Sequence, residues 1–250
     1  MLKTKLAPDI IHYMFPPSKA ENHYGYNIIA IIHESKAILI DVAFESHARQ
    51  VIEDLSCFGI AIYKVIVSHF HDDHMEGLKL LPNVLVYGSS HFQETLDMWT
   101  PKQDHKYFTP TITIEQPTTI EFGRRHKLEI IPSPGHSICT VLVKINDKFL
   151  HVADEILLSN DGRPILPSIE NRSHIQRQLE SWGKIKRYSN LTIIPGHGPA
   201  LEGSRLLEDI QNRFAYAKAI LAAADGPISY EIATKDCDCI FLHSDWFNDL

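Results

Sequence analysis

The chain has 250 residues, 44% of them hydrophobic and 22% charged, with a formal net charge of −7. That length fits one large domain or two small ones, and the composition is typical of a globular protein. No run of lysine and arginine reaches five residues, which argues against nucleic acid as a partner. We see neither a signal peptide nor an apolar stretch of roughly 20 residues, so we expect a cytoplasmic protein that binds no membrane.

The first clear strand is the apolar run 27–33, and a second is expected at 37–41 after a short turn. Residues 47–58 place Val51, Ile52 and Leu55 on one face and are predicted to be helical. The run 64–68 predicts a strand that is buried on both faces. Further strands are predicted at 84–87, 118–122, 126–131, 138–145, 148–152 and 191–194. Further helices are predicted at 75–81, 90–98, 173–187, with Ser173 as N-cap, and 204–223.

The strands fall in antiparallel-looking runs with helices between the runs. Helices outside two sheets would bury such runs, which favours a layered arrangement. Residues 1–225 are predicted to form the main domain, and residues 226–250 an acidic tail of unknown role. In that tail Cys237 and Cys239 form a C-x-C pair, interpreted as incidental thiols on a solvated segment, with a redox or metal role as the alternative.

Four side chains of metal-ligand type fall within six positions, directly after the apolar strand at 64–68. They are His69, His71, Asp73 and His74. An extended stretch puts residues 69 and 71 on the same side, and the turn that follows can bring 73 and 74 to a second point nearby. Imidazole and carboxylate suit zinc and other divalent first-row metals, so this segment predicts a metal site.

Three more candidates each follow a predicted strand. His136 lies in a Ser-Pro-Gly-His-Ser turn and His197 in a Pro-Gly-His-Gly-Pro turn, while Asp154 ends the apolar run 149–153. Taken alone, each has a structural interpretation, as a turn residue or a satisfied histidine. As evidence for a metal site, these residues count because of the order in which they occur along the chain.

That order, His-x-His-x-Asp-His, then Gly-His, then an aspartate after a strand, then Gly-His-Gly, resembles the metallo-β-lactamase superfamily over residues 24–200. The resemblance implies an α+β fold, a four-layer αββα sandwich, with two metal ions at one edge. It implies that His69, His71 and His136 hold one metal, that Asp73, His74 and His197 hold the other, and that Asp154 bridges both. The two metals are expected to be Zn²⁺, with iron and manganese as alternatives. Asp72 is expected not to be a ligand.

The resemblance implies a hydrolase that acts on a small molecule. In our hypothesis a hydroxide that bridges the two metals attacks a carbonyl carbon, with Asp73 orienting the nucleophile. Fold and metals do not select the substrate. Glyoxalase II-like enzymes usually carry a longer helical C-terminal domain, whereas one clear helix and an acidic tail are predicted here after His197. The tyrosine that follows the bridging aspartate in acyl-homoserine lactonases and the metal-binding cysteine of familiar β-lactamases have no counterpart at the matching positions. A small ester, thioester or lactone is therefore the expected substrate.

Two alternatives from other classes remain: an iron-dependent oxidoreductase of the same fold, and a ligand-binding regulatory module with slow turnover. The walls of the pocket are expected at residues 15–25, with His23, Tyr24 and Tyr26 nearby, and at residues 160–168. The oligomeric state is open.

Overall fold

Two β-sheets form the centre of the computed structural model, which describes residues 1–169, 171–223 and 226–249. The first sheet has seven strands that lie side by side in chain order. They are β1 (Leu2–Ala7), β2 (Ile10–Met14), β3 (Asn27–His33), β4 (Lys36–Ile40), β5 (Ala61–Ile66), β6 (Leu85–Ser89) and β7 (Ile112–Ile114).

The second sheet has five strands. They are β8 (Thr118–Phe122), β9 (His126–Pro132), β10 (Val141–Ile145), β11 (Phe149–His151) and β12 (Thr192–Ile194). Their spatial order is β12-β11-β10-β9-β8. The helices are α1 (Glu45–Cys57), α2 (Asp72–Met75), α3 (Phe92–Trp99), α4 (His105–Phe108), α5 (Ile175–Lys186), α6 (Gly203–Ala222) and α7 (Tyr230–Ala233). Within the described residues, no helix is long and apolar enough to cross a membrane.

Strand β3 shows why the sheets stack between helices. Ile28 and Ala30 lie in one core with α1, whereas Ile29 and Ile31 lie in the core between the two sheets. Successive side chains of a strand point to opposite faces, so an apolar residue at every position needs a layer on both sides. In the second sheet, Leu142 of β10 faces a third core that contains α5 and α6. The result is the four-layer αββα sandwich, which confirms the predicted fold class.

Strand direction differs from the antiparallel runs that the sequence suggested. Strands β4 to β7 pair in parallel, as do β11 and β12, and the remaining pairs are antiparallel. Helix α1 lies between β4 and β5 in the chain and provides the crossover that a parallel pair requires. Val65 and Ile66 of β5 face opposite cores, as the run 64–68 predicts.

The N-terminal hairpin of β1 and β2 was not predicted. Strand β1 is largely exposed at the sheet edge, and β2 is a five-residue run with a histidine at its centre, so neither has a clear period. The predicted cap of α5 was also wrong. The Asn171 side chain accepts the Ser173 N–H at 2.9 Å, in a 3₁₀ turn that precedes the helix.

The C-terminal segment packs on the second helix layer. Phe241 and Phe247 are buried in the core that contains α5 and α6, and Cys237 and Cys239 are partly buried against it. The two thiols are therefore not on a solvated segment. The predicted boundary at residues 225 and 226 falls beside residues 224 and 225, which lie outside the described part of the chain.

Candidate metal centre

The candidate metal ligands follow the ends of four strands: β5, β9, β11 and β12. In the turn after β5, His69 Nε2 lies 3.1 Å from His71 Nδ1. In the turn after β9, His136 Nε2 lies 3.3 Å from the same His71 atom. Nitrogen ligands about 2.0–2.1 Å from a tetrahedral zinc ion lie about 3.4 Å from one another. The spacing of these three nitrogens therefore fits a single metal ion.

A second group lies beside the first. His197 Nε2 is 3.3 Å from Asp73 Oδ2, and His74 Nε2 is 3.8 Å from Asp73 Oδ1. The ligand atoms of these three residues all lie within 4.8 Å of one another. This group combines two imidazoles with one carboxylate, a donor set that suits a divalent first-row metal.

Asp154 lies between the two groups. Its Oδ2 is 3.9 Å from the Nε2 atoms of both His69 and His136, and 3.2 Å from His197 Nε2. Its Oδ1 is 3.3 Å from His74 Nε2. The structure thus brings all seven predicted ligands together around one carboxylate that contacts both groups.

Two polar atoms in this centre are buried without a hydrogen bond among the described residues: His74 Nε2 and Asp154 Oδ1. An orphaned buried polar atom carries a desolvation cost, and a metal ion that coordinates it removes that cost. On His74 and His197 the other ring nitrogen is already engaged, 2.9 Å from Asp41 Oδ2 and 2.6 Å from the Gly25 carbonyl oxygen. These acceptors fix the ring tautomer and leave Nε2 to a metal.

The charges of the centre agree with that role. Burial lowers the pKa of His74, but Asp154, Asp73 and Asp41 outweigh it and raise the pKa well above its usual value. Burial also lowers the pKa of His197, but the nearby Asp154 and Asp73 carboxylates raise it by more, to about 10. The neighbouring carboxylates thus favour the protonated form of both imidazoles when no metal ion is bound. A metal ion that binds there displaces those protons.

Two glycines let the turns approach the centre. A Cβ on Gly196 would overlap Asp154 Oδ1, and a Cβ on Gly135 would overlap the Glu155 carboxylate. Each glycine directly precedes a candidate histidine in the sequence. The Gly-His pairs are therefore explained by a close approach of backbone to carboxylate, for which any larger residue has no room.

Asp41 is a functional candidate that the sequence analysis did not single out. It follows β4 with φ +57°, is fully buried, and accepts the Ser68 N–H and the Ser68 hydroxyl at 2.7 Å each, beside His74. Ser68 Oγ in turn lies 3.2 Å from His69 Nδ1. One carboxylate thus orients one imidazole of each group. Its signal in the sequence, an aspartate directly after an apolar strand, is the one that marked Asp154.

Replacing Asp41 with asparagine tests this orienting role. Asparagine keeps the shape and tolerates a positive φ, but it removes the charge that holds His74. We expect metal affinity to fall by about 10- to 100-fold, as is usual for partners of metal-bound histidines. Competition with a chromophoric chelator measures the change, and an unaltered affinity would rule out the role.

Glu155 is another residue that the sequence analysis missed. It is buried, accepts the His136 N–H at 2.9 Å through Oε1, and accepts Gln178 Nε2 at 2.6 Å through Oε2. Burial raises the pKa of Glu155 to about 7. Helix α5 also reaches the same turn through Arg177 Nε, 3.2 Å from the Gly135 carbonyl oxygen. This helix therefore fixes the position of the turn that carries His136.

Comparison with known proteins identifies the superfamily. The model of the metallo-beta-lactamase superfamily matches residues 23–197, more than half of the chain. The chain belongs to this superfamily. Its members are mostly metal-dependent hydrolases that bind divalent metals, and the His/Asp cluster fits such a metal site.

The individual relatives of this protein share little sequence identity with it. A probable metallo-hydrolase of Streptococcus pyogenes serotype M6 is 22% identical over 197 residues, which cover 73% of this chain and 83% of that protein. A metallo-beta-lactamase from Pontibacter korlensis has a TM-score of 0.67 at 18% identity, covering 84% of this chain and 99% of that one. The DIM-1 metallo-beta-lactamase has a TM-score of 0.65 at 19% identity, covering 84% and 95%. At such identities the structural likeness establishes the fold alone.

In this protein a cavity of 610 Å³ opens above the candidate metal centre. Five of the seven candidate ligands line it: His71, Asp73, His136, Asp154 and His197. The expected walls are present in part, since Tyr24 and Ser168 line the cavity. Tyr26 does not line the cavity but lies behind it, with its ring 5.6 Å from that of His197 and 5.0 Å from that of Phe44. The remaining lining residues are Asp72, Trp99, Leu157, Ile169 and Trp246.

Proposed function

We propose that this protein is a binuclear metal-dependent hydrolase that acts on a small ester, thioester or lactone. The observation that carries the proposal is the position of Asp154. Its carboxylate lies within 3.9 Å of imidazoles from both ligand groups, at the base of an open cavity. In this proposal His69, His71 and His136 hold one ion, Asp73, His74 and His197 hold the other, and Asp154 contacts both.

Two divalent ions in these groups would supply water activated near neutral pH and a Lewis acid for a carbonyl oxygen. The two carboxylates offset the charge of such ions, because like charges about 4 Å apart repel strongly. Asp73 is the candidate catalytic residue. Its side chain is a quarter exposed and lines the cavity, so it can orient a water molecule as well as hold a metal.

Tyr24 is a further polar residue that could contact a substrate in the cavity. Its ring lies edge-on to His197 at 4.9 Å, and the residue lines the cavity. Burial, with a contribution from Asp73, raises the pKa of Tyr24 to about 12. Its hydroxyl therefore keeps its proton at neutral pH and offers a hydrogen-bond donor to a carbonyl or leaving-group oxygen.

The size of the cavity supports a small substrate. Its 610 Å³ lies within the range of about 300–1,000 Å³ that is usual for small-molecule sites. A small-molecule partner is therefore proposed, in preference to a polymer that would need an extended basic groove.

The experiment is a substrate screen on protein loaded with zinc, with metal content measured on the same sample. We expect two metal ions per chain and hydrolysis of at least one ester, thioester or lactone. Chelation should abolish the activity and added zinc should restore it. The matched control is the Asp73→Asn variant, which we expect to lose most of the activity and to keep its fold.

Three outcomes would contradict the proposal. The first is a folded protein that binds no metal. The second is purified protein that carries coloured, redox-active iron, which would favour the oxidoreductase alternative. The third is a fully loaded protein with no rate above background across the panel, which would favour a regulatory module.

A further inference from the structure

One residue that lines the cavity, Trp246, comes from a part of the chain that lies beyond the superfamily match, residues 240–247. This C-terminal segment is anchored in the core through Phe241 and Phe247, whose rings lie 6.0 and 6.3 Å from the ring of Tyr216. The Leu242 N–H donates to the Pro164 carbonyl oxygen at 2.9 Å, and the Leu242 carbonyl oxygen accepts the Leu166 N–H at 3.0 Å. The segment is therefore built into the fold beside the loop that follows Asp154.

Trp246 is the residue of this segment that reaches the cavity. Its ring stacks on His243 at 4.6 Å and lies edge-on to Tyr24 at 6.2 Å. Tyr24 in turn contacts the His197 ring. An aromatic surface thus runs without a break from the candidate metal centre outward to the C-terminal segment.

The loop that carries Tyr24 is held in place by Asn160. The Asn160 side chain accepts the Gly25 N–H at 2.7 Å and donates to the Phe15 carbonyl oxygen at 2.8 Å. Its backbone N–H donates to the His23 carbonyl oxygen at 2.9 Å. His243 Nε2 lies 2.8 Å from the Asn22 carbonyl oxygen, which joins the loop to the C-terminal segment. The wall is therefore preformed, which lowers the entropy cost of binding a ligand against it.

The other side of the cavity is also apolar. The Trp99 ring lies 6.1 Å from His71 and is half exposed, and Leu157 and Ile169 line the floor between the loops. None of the described residues that line the cavity is a lysine or an arginine, and Asp72 adds a negative charge away from the centre. A carboxylate or phosphate on the distant part of a substrate would find no side-chain cation there.

We propose that the substrate is an uncharged ester, thioester or lactone with an aromatic or similarly broad apolar group, which packs against Trp246 and Tyr24. This inference rests on the proposed hydrolase function and specifies its substrate class. Burial of an apolar group against a preformed aromatic wall supplies the affinity, and the lack of a cation disfavours acidic substrates. Trp246 is then a specificity-determining residue.

The test compares three esters with the same leaving group and with phenylacetyl, acetyl or succinyl as the acyl group. For zinc-loaded wild type we expect the highest kcat/KM with phenylacetyl and the lowest with succinyl. In Trp246→Ala the value for phenylacetyl should fall about tenfold, while the value for acetyl stays within about twofold. Trp246→Phe should keep most of the preference. Ile240→Ala, which alters an exposed residue of the same segment, should change neither value.

A second measurement does not depend on turnover: binding of the neutral amide phenylacetamide, followed by ligand-observed NMR, with and without zinc. We expect Trp246→Ala to weaken this binding about tenfold in both states. Unchanged phenylacetamide binding and an unchanged ester preference in this folded variant would overturn the inference and leave metal-dependent hydrolysis intact. A wild-type preference for the succinyl ester would overturn it as well. Phenylacetamide binding that depends on Trp246, in a protein that hydrolyses no ester, would support the pocket assignment and contradict the hydrolase proposal.

Discussion

Replacing Asp154 with alanine is expected to leave at most one metal ion per chain and to lower hydrolysis by more than about 100-fold. Asp154 is the carboxylate that contacts imidazoles of both ligand groups. Without it, one negative charge fewer would offset the mutual repulsion of two divalent ions held in these groups. Metal analysis and steady-state kinetics on the same sample measure both effects.

Two further variants separate charge from shape at this position. Asp154→Asn keeps the size of the side chain and removes its charge, so we expect it to behave like the alanine variant. Asp97→Asn removes an exposed carboxylate of α3 and should leave metal content and rate unchanged. An Asp154→Ala protein that still binds two metals and turns over at the wild-type rate would show that this residue is not the bridge.

Replacing Trp182 with alanine is expected to lower the free energy of unfolding by about 3–5 kcal/mol, the usual cost of truncating a buried aromatic residue. Trp182 is fully buried in α5 and packs against Phe214 at 6.1 Å. Its Nε1 donates to the Glu155 carbonyl oxygen at 2.6 Å, next to Asp154 in the chain. Since domains are stable by only about 5–15 kcal/mol, this change removes a large share of the total.

Trp182→Phe tests the contribution of the hydrogen bond separately from the loss of packing. It keeps most of the ring and leaves the Glu155 carbonyl oxygen without this donor, so we expect a loss of about 1–3 kcal/mol. Trp99→Ala, which truncates a half-exposed tryptophan, should change stability by no more than about 0.5 kcal/mol. Denaturant unfolding with a chelator present gives these values without a contribution from bound metal. Equal losses for Trp182→Ala and Trp99→Ala would contradict the packing argument.

The residues that carry strong local patterns were predictable. The run 27–33 is apolar at nearly every position, which predicts a strand, and β3 spans those residues. The residues 69–74 place four of the seven candidate ligands in one turn, a pattern that packing alone does not require. Ligand type, order and strand-end position are properties of short segments, so the sequence carries them directly.

Residues whose role depends on a distant partner could not be predicted in this way. Asp41 and Glu155 look like ordinary strand-end carboxylates until His74 and the His136 backbone lie beside them. The same holds for Trp246, whose segment showed no pattern that would place it near Tyr24. Each of these contacts joins residues that are far apart in the chain or on different elements.

The sequence by itself determined the superfamily, the layered fold and the identity of the seven candidate ligands. These features follow from residue types and spacings that are visible within short segments of the chain. Only the tertiary structure decided how closely the ligands approach one another, which carboxylates orient them, and that the C-terminal segment walls the cavity. The physical reason is that these features arise from packing between distant segments, where burial and steric fit select one arrangement among many that the local patterns allow.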